Sequence, residues 1–368
     1  MHWKASPSPK TETFMQHSNA RSLGSCFALK IEPSTIIRYA FFLLILLMTT
    51  FRISAAALAA ALVCGSASAA DEFDAYAHSG MLSSAIDSVQ LIQDSVRDKL
   101  NDTTLAERPA GGALWLEQRY SQHKTNRLLR DASYTGGYRS RAGMTNLGAD
   151  IKTDGGMFGV VYSYGHSDTD TRNADHTLDG EARYYGVSIF GLLEAGPVNI
   201  TGSAGYVRLS GSSDYVGGGS TGIKGNIWKG SVGLNIPFEV ATISMMAYAA
   251  AEGTHITPHN YAGGEPDNAL IWHFPIGLKA SRDFKIGSWT LRPAADIAVV
   301  PVAGDDSQTT LINGSLQKTR IAPDAIYRAA FGLTLKGEKG EISGEYRYEA
   351  GDGGLSAHSG LIAGRYIF

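Results

Sequence analysis

Residues 340–368 read G-E-I-S-G-E-Y-R-Y-E-A-G-D-G-G-L-S-A-H-S-G-L-I-A-G-R-Y-I-F, two strand-length segments joined by a Gly/Asp loop, with the sequence ending on Phe368. Side chains on a strand alternate between its two faces. In the first segment Ile342, Tyr346 and Tyr348 therefore share one face, and Glu341, Ser343, Glu345 and Arg347 the other. In the second, Ile362, Tyr366 and Phe368 alternate with Ala363 and Arg365. Bulky apolar groups on one face and charges on the other match a transmembrane β-barrel with lipid outside and a polar lumen. A soluble sandwich with its apolar face inward has the same alternation, so the number of strands and the N-terminal region must decide.

From residue 113 onward the alternation predicts twelve strands: 113–124, 143–153, 156–168, 181–194, 197–210, 222–237, 240–253, 269–284, 287–303, 324–337, 340–350 and 355–368. Their connections alternate in length. Thr153–Gly156, Glu194–Pro197, Pro237–Val240, Phe284–Gly287 and Gly337–Gly340 read as tight turns, whose Gly, Pro and Asp residues supply turn geometry. Longer polar loops are expected near 125–142, 169–180, 211–221, 254–268 and 304–323. Outer-membrane barrels show this asymmetry, with short periplasmic turns and long outside loops. A sandwich has no reason for it.

Faces follow for the clearer strands. Leu147, Ala149 and Ile151 are expected outside, with Asn146, Gly148, Asp150 and Lys152 inside. Phe158, Val160, Tyr162 and Tyr164 face out against Gly159, Ser163 and Gly165, and Tyr327, Phe331, Leu333 and Leu335 against Arg328, Gly332, Thr334 and Lys336. A charge on the lipid face at mid-membrane costs about 2–4 kcal/mol. Glu117, Arg119, Asp150, Arg183, Arg328, Glu345, Arg347 and Arg365 are therefore expected to line the lumen. The strands near 222–253 alternate poorly and receive no faces.

Composition agrees with a barrel. The 368 residues are 43% hydrophobic and 18% charged, and the mean hydropathy of −0.09 excludes a helical-bundle membrane protein but not a barrel, in which only alternate residues meet lipid. Ile36–Leu47 is apolar but interrupted by Arg38 and short for a membrane span. Met48–Arg52 then begins a second signal: a basic start, an apolar run Ile53–Val63, and Ala67-Ser68-Ala69 before a cleavage point between Ala69 and Ala70. Residues 1–47 read as a leader extension or as sequence upstream of a start at Met48, residues 48–70 as a signal peptide; a retained anchor over Ile36–Cys64 is the third reading. Both cysteines, Cys26 and Cys64, precede this point, so a processed chain forms no disulfide. Cleavage would remove six of the 32 basic and two of the 35 acidic residues, leaving a net charge of −7, which argues against nucleic acid as a partner.

Within 71–110, helical periodicity appears. Leu82, Ile86, Val89, Ile92/Gln93, Val96 and Leu100 recur at three- and four-residue steps, with Ser83, Asp87, Asp94, Arg97, Asp98 and Lys99 on other faces. Ser83-Ser84 offers a start, and Pro109 with Gly111-Gly112 prevents continuation. Such a helix reads as one lying on a protein surface, as half of a coiled coil, or as a filling for the lumen, since a twelve-stranded lumen is wide enough to need a plug or leave a channel. The helical charges are expected to pair there with lumen charges, where limited water strengthens such pairs.

Other motifs carry less. His255 and His259 stand four apart, but Pro258 opposes a helical metal pair. Asp168, Asp170, Asp175, His176 and Asp179 make one loop acidic, which reads as a solvated face rather than a calcium site. Asp305-Asp306, His166-Ser167 and His358-Ser359 lack partners at catalytic spacing, and neighbours on a strand point to opposite faces. Gly217–Gly219 has no basic helix start after it, so it is no phosphate cradle. No enzyme activity, cofactor or metal is expected.

A helix feeding Gly111-Gly112-Ala-Leu-Trp115, then Leu147-Gly-Ala-Asp150 before Asp154-Gly-Gly156, Gly159-Val-Val-Tyr-Ser-Tyr164, Tyr185-Gly-Val-Ser-Ile-Phe190 and finally Gly364-Arg-Tyr-Ile-Phe368 resembles, over about residues 75–368, the autotransporter β-domain of type V secretion. The resemblance implies a monomeric twelve-stranded antiparallel transmembrane β-barrel over 111–368, with an N-terminal α-helix in its lumen. It implies residence in the outer membrane of a Gram-negative bacterium, in contact with its lipid, and export or display of the segment before the helix. Periplasmic chaperones and the barrel-assembly machinery are its implied partners, the latter reading the terminal aromatics Tyr366 and Phe368. One departure stands out: family members carry a large passenger between signal and helix, and here only about ten residues separate Ala70 from Leu82. A passenger-less surface protein or plugged channel is thus the alternative, and a barrel hydrolase the remote one. Some members cut their linker at paired asparagines; Asn101-Asp102 is no such pair, and no self-cleavage is expected.

Overall fold

The computed structural model describes residues 74–102, 108–125, 137–172, 177–215, 219–259, 268–312 and 315–368. The leader, Ala69, Ala70, Asp175 and His176 lie outside them. The chain divides at Cys64/Gly65, and the unit from Gly65 onward is the one described.

Among the described residues one helix, α1 (Asp74–Leu100), precedes twelve barrel strands. These are β1 (Gly111–Thr125), β2 (Gly137–Thr153), β3 (Gly156–Arg172), β4 (Thr177–Ala195), β5 (Val198–Tyr215), β6 (Gly219–Val240) and β7 (Ile243–His259). After them come β8 in three segments (Ala269–His273, Ile276–Ser281, Phe284–Ile286), β9 (Trp289–Gly304), β10 (Ala325–Lys336), β11 (Gly340–Gly351) and β12 (Ser356–Ile367). Each strand pairs antiparallel with its neighbours. The ring closes where β1 meets β12, from Ala113↔Ile367 to Lys124↔Ser356. Gly112 and Phe368 exchange both backbone bonds at 3.0 Å, the last rung of the seam. Closure leaves no free sheet edge within the ring itself, the condition for strands to cross a membrane.

The outer wall is apolar as expected. Ile362 is 70% exposed, Phe331 60%, Phe158 61% and Leu147 56%, exposures that water would not tolerate together on one surface but that lipid accepts. Asn146, Asp150, Ser163, Arg328 and Gly159, one residue out of phase with those groups, are buried toward the lumen.

Four sequence expectations are corrected. The loops expected at 169–180 and 211–221 are largely strand, because β3 and β4 stay paired to Arg172↔Thr177 and β5 and β6 to Tyr215↔Gly219. Polar side chains do not interrupt a backbone ladder, so hydrophilic composition misread the hairpin ends as loops. The stretch 304–323 likewise holds a paired hairpin, Ser307–Ile312 with Ser315–Arg320. The turn expected at Pro237–Val240 falls instead on Ala241-Thr242, with Ala241 at φ 58°. Beyond Asn235, β6 has only β7 beside it, and proline is tolerated on such an edge.

Candidate functional site

The lumen is filled by α1. Along 80–100 the helix is buried on all sides, and its 27 residues at 1.5 Å each make it about 40 Å long, enough to cross a membrane's apolar layer. Gly80 lies against Thr171 with no room for a side chain. Ser84 Oγ lies 2.8 Å from Ser140 Oγ and accepts from Thr169 Oγ1 at 2.6 Å. All three partners sit at the long-connection ends of β2 and β3. At the other end of the helix, Asn235 Nδ2 donates to the Leu100 carbonyl at 2.9 Å, satisfying one of the carbonyls that every helix C-terminus leaves open. Val96 and Leu100 pack there on Trp115, Met157, Val161, Phe190 and Leu192, near the short turns. The helix therefore runs from the long-loop mouth down to the short-turn end.

Two unlike walls hold it. On β2 to β6, Met144, Tyr184, Val207, Leu209, Ile223 and Ile227 are buried and pack on Leu82, Ala85, Ile86, Val89 and Ile92. Space is tight on this side too: a Cβ on Gly148 would lie 2.1 Å from the Trp115 ring. On β1, β7 and β10 to β12 the wall is charged. Arg347 donates to Asp94 Oδ2 at 2.6 Å and to Asp98 at 3.0 Å, and Arg119 reaches Asp98 at 2.8 Å. Arg97 within the helix pairs with Asp94 and donates to Glu252 Oε1 at 2.7 Å, and Gln90 donates to Glu252 Oε2 at 3.1 Å. Lys99 lies 3.9 Å from Glu117 and 4.7 Å from the centre of the Trp115 ring. Wall residues also brace each other, Arg119 with Glu117 at 3.0 Å, Arg347 with Glu345 at 2.8 Å and Arg328 with Glu349 at 2.5 Å. Asp94 and Asp98 are on the opposite side of α1 from its aliphatic stripe, so amphipathicity selects the wall each face meets.

Of the sequence-derived lumen residues, Glu117, Arg119, Glu345, Arg347 and Arg328 join this network. Arg365 binds Glu341 at 2.9 Å and lies 3.5 Å from Asp102, and Asp150 holds Arg108. Arg183 is a correction. It is exposed, between buried Ala182 and Tyr184, and so stands on the outer wall. It lies two residues mouthward of the outward Tyr185, past the aromatic belt that marks the edge of the apolar layer, where an outward charge meets water or headgroups at little cost. Tyr366 and Phe368 are outward and exposed at 53% and 67%.

Glu252, Glu349, Arg108 and Asn235 escaped the sequence reading. Glu252 sits in a strand whose inward side carries Met246, Tyr248 and Ile256, all buried, while Ala247, Ala249 and Ala251 face out. Bulk lies inside and small residues outside, the reverse of its neighbours, so the alternation gave no usable sign; the signal available was a lone Glu in an alanine-rich run.

The remaining candidates are dispersed. His166 is exposed outside, while Ser167 faces the lumen 2.9 Å from Tyr184 Oη. His358 Nδ1 lies 2.7 Å from Tyr346 Oη on the outer wall, and His259 Nε2 lies 3.0 Å from Asn226. Asp305 accepts the Leu270 N–H at 2.8 Å, and Asp306 accepts from Ser307. Among the described residues no three His, Cys, Asp or Glu side chains gather as a metal set.

A closed antiparallel barrel, lipid-facing outside and threaded end to end by a helix bonded to its wall, is the architecture of an outer-membrane translocator. Residues 120–347 match the Autotransporter beta-domain family, and the chain belongs to it. Solved structures agree in fold. The translocator domain of autotransporter NalP from Neisseria meningitidis shares 14% identity at TM-score 0.59, over 80% of this chain and 99% of that one. The transport unit of autotransporter AIDA-I from Escherichia coli shares 17% at 0.57, over 82% and 100%. The beta domain of the Bordetella autotransporter BrkA shares 16% at 0.52, over 70% and 100%. A search of curated proteins gave no match. The protein is thus an outer-membrane barrel of a Gram-negative bacterium, of the translocator type.

Proposed function

We propose that this barrel delivers the part of the chain preceding α1 to the cell surface, and that α1 then remains as the plug. The observation that supports this is the direction of the helix. Its C-terminal end lies near the short turns, where β1 begins, and its N-terminal end lies at the long-connection mouth, the outward side of such barrels. Whatever precedes α1 is directed outward. In this reading residues 48–70 are a signal cut between Ala69 and Ala70, and Tyr366 and Phe368 are the signal read by the barrel-assembly machinery after chaperone escort. The barrel works as a monomer and performs transport without covalent chemistry.

The test is an epitope tag inserted at Asp71 in the full chain. In intact cells the tag binds antibody and is removed by added protease. A tag that is protected until the outer membrane is opened would overturn the reading.

A further inference from the structure

On three adjacent strands, the first outward residue mouthward of an outward tyrosine is basic. His166 follows Tyr164 on β3, Arg183 precedes Tyr185 on β4, and Arg208 follows Tyr206 on β5. The aromatic rings pair along this level: Tyr164 and Tyr185 lie 5.2 Å apart, and Tyr206 lies 4.9 Å from Trp228 on β6. Directly above it, His166 is opposite Arg183, and Arg208, opposite Tyr185, is diagonal to Arg183. Directly opposed residues are about 5 Å apart and diagonal ones about 7–8 Å, so the three side chains can converge on one group. Lys224, opposite Ser210 on β6, extends the patch, and Arg141 on β2 stands one rung further out, opposite Asp168. All five are exposed, and among the described residues none is in an ion pair.

The far side of the barrel lacks this pattern. Mouthward of Tyr348 on β11 comes Ala350, and mouthward of Tyr327 on β10 comes Ala325. Were the basic residues a general requirement of the membrane edge, they would recur around the ring. Asp168 and Glu181 stand one rung further out, opposite each other, on the water side of the basic cluster.

We propose that Arg183, Arg208 and His166 form a binding site for the phosphate of a phosphorylated glycolipid in the membrane leaflet at the long-loop end. Aromatic rings at the interface locate the headgroup level, and guanidinium pairs bind phosphate bidentately. The acyl chains would lie on the apolar wall immediately below, along Tyr162, Val187 and Ile189, which are all exposed. The site lies outside the lumen and is separate from the path of export.

The test uses the full chain in nanodiscs of phosphatidylethanolamine doped with bis-phosphorylated lipid A, with retained lipid counted by native mass spectrometry. The unaltered protein retains at least one lipid A, and the Arg183→Ala/Arg208→Ala double variant binds it at least tenfold more weakly. Arg183→Lys/Arg208→Lys recovers part of the loss, and chemically dephosphorylated lipid A binds the unaltered protein no better than it binds the double variant. Because the substituted residues are on the outer surface, folding is verified by heat-modifiable gel mobility. Equal retention by both proteins, equal retention of dephosphorylated lipid, or equal retention of phosphatidylglycerol in place of lipid A would each overturn the proposal.

Discussion

The two walls of the lumen grip the same helix by different physics. The wall of β2 to β6 offers aliphatic and aromatic side chains to Leu82, Ile86, Val89 and Ile92, and such contact is non-directional. The opposite wall offers Arg347, Arg119, Arg328 and Glu252 to Asp94, Asp98 and Arg97, contacts that depend on angle and distance. A slip of α1 by one turn, about 5.4 Å, would leave an aliphatic stripe against an aliphatic wall. The same slip would carry Asp94 away from Arg347 and Arg328. The apolar wall thus supplies contact area and the charged wall supplies register.

Experiments can break or sharpen this contrast, beginning with the largest effect. Deleting residues 80–101 removes what both walls bind. In planar bilayers the deleted barrel should conduct ions steadily where the intact protein is closed or nearly so; steady conductance by the intact protein would refute the plug. Next in size is Asp94→Ala, which leaves Arg97, Arg347 and Arg328 without their shared partner. Loss of one member of a buried ion network costs about 3–5 kcal/mol, to be read as a lower urea midpoint for the folded, heat-modifiable form. Ile92→Val, on the helix face that meets the apolar wall, trims one methylene and should cost about 0.5–1.5 kcal/mol by the same assay. If the two substitutions cost the same, the division of labour between the walls fails.

The smallest effect lies at the mouth. Asp352, in the short turn between β11 and β12, accepts the N–H groups of Asp324 and Ala325 at 2.8 and 3.3 Å and pairs with Arg320. Partial burial pushes its carboxyl up, but the Ala325 N–H and Arg320 outweigh this and hold it below its usual value. A depressed carboxyl contributes stability that is present above its unfolded value, near pH 4, and is lost as pH falls through the lower folded one. Hydrogen exchange at the Asp324 and Ala325 amides should therefore gain protection from this contact at neutral pH and lose it in acid below about pH 4. Asp352→Asn should show little acid dependence at those two amides. The contribution is that of a surface pair, at most about 1 kcal/mol.

How legible each region was follows from what constrains it. On β2, β3 and β10 to β12, lipid admits one class of residue at every second position, so faces could be read from the chain alone. On β6 and β7 the lumen must be filled against α1, and the inward residues Ile223, Ile227, Met246 and Tyr248 are as large and apolar as lipid-facing ones. Alternation then carries no sign, and Glu252 was hidden with it. Arg183 was misplaced for another reason. The rule that charges face the lumen holds only within the apolar layer, and β4 runs on beyond it to Thr177.

From the sequence alone came the number of strands, most of the tight turns, the lipid face of most strands and the amphipathic helix. Each is a local periodicity that bilayer or backbone imposes within a few residues. Only the tertiary structure decided where the strands end, which wall each helix face meets, and that Asp94, Arg347 and Glu252, far apart in the chain, share one network. Those depend on ring closure and on the depth of the helix in the lumen, which no single segment encodes.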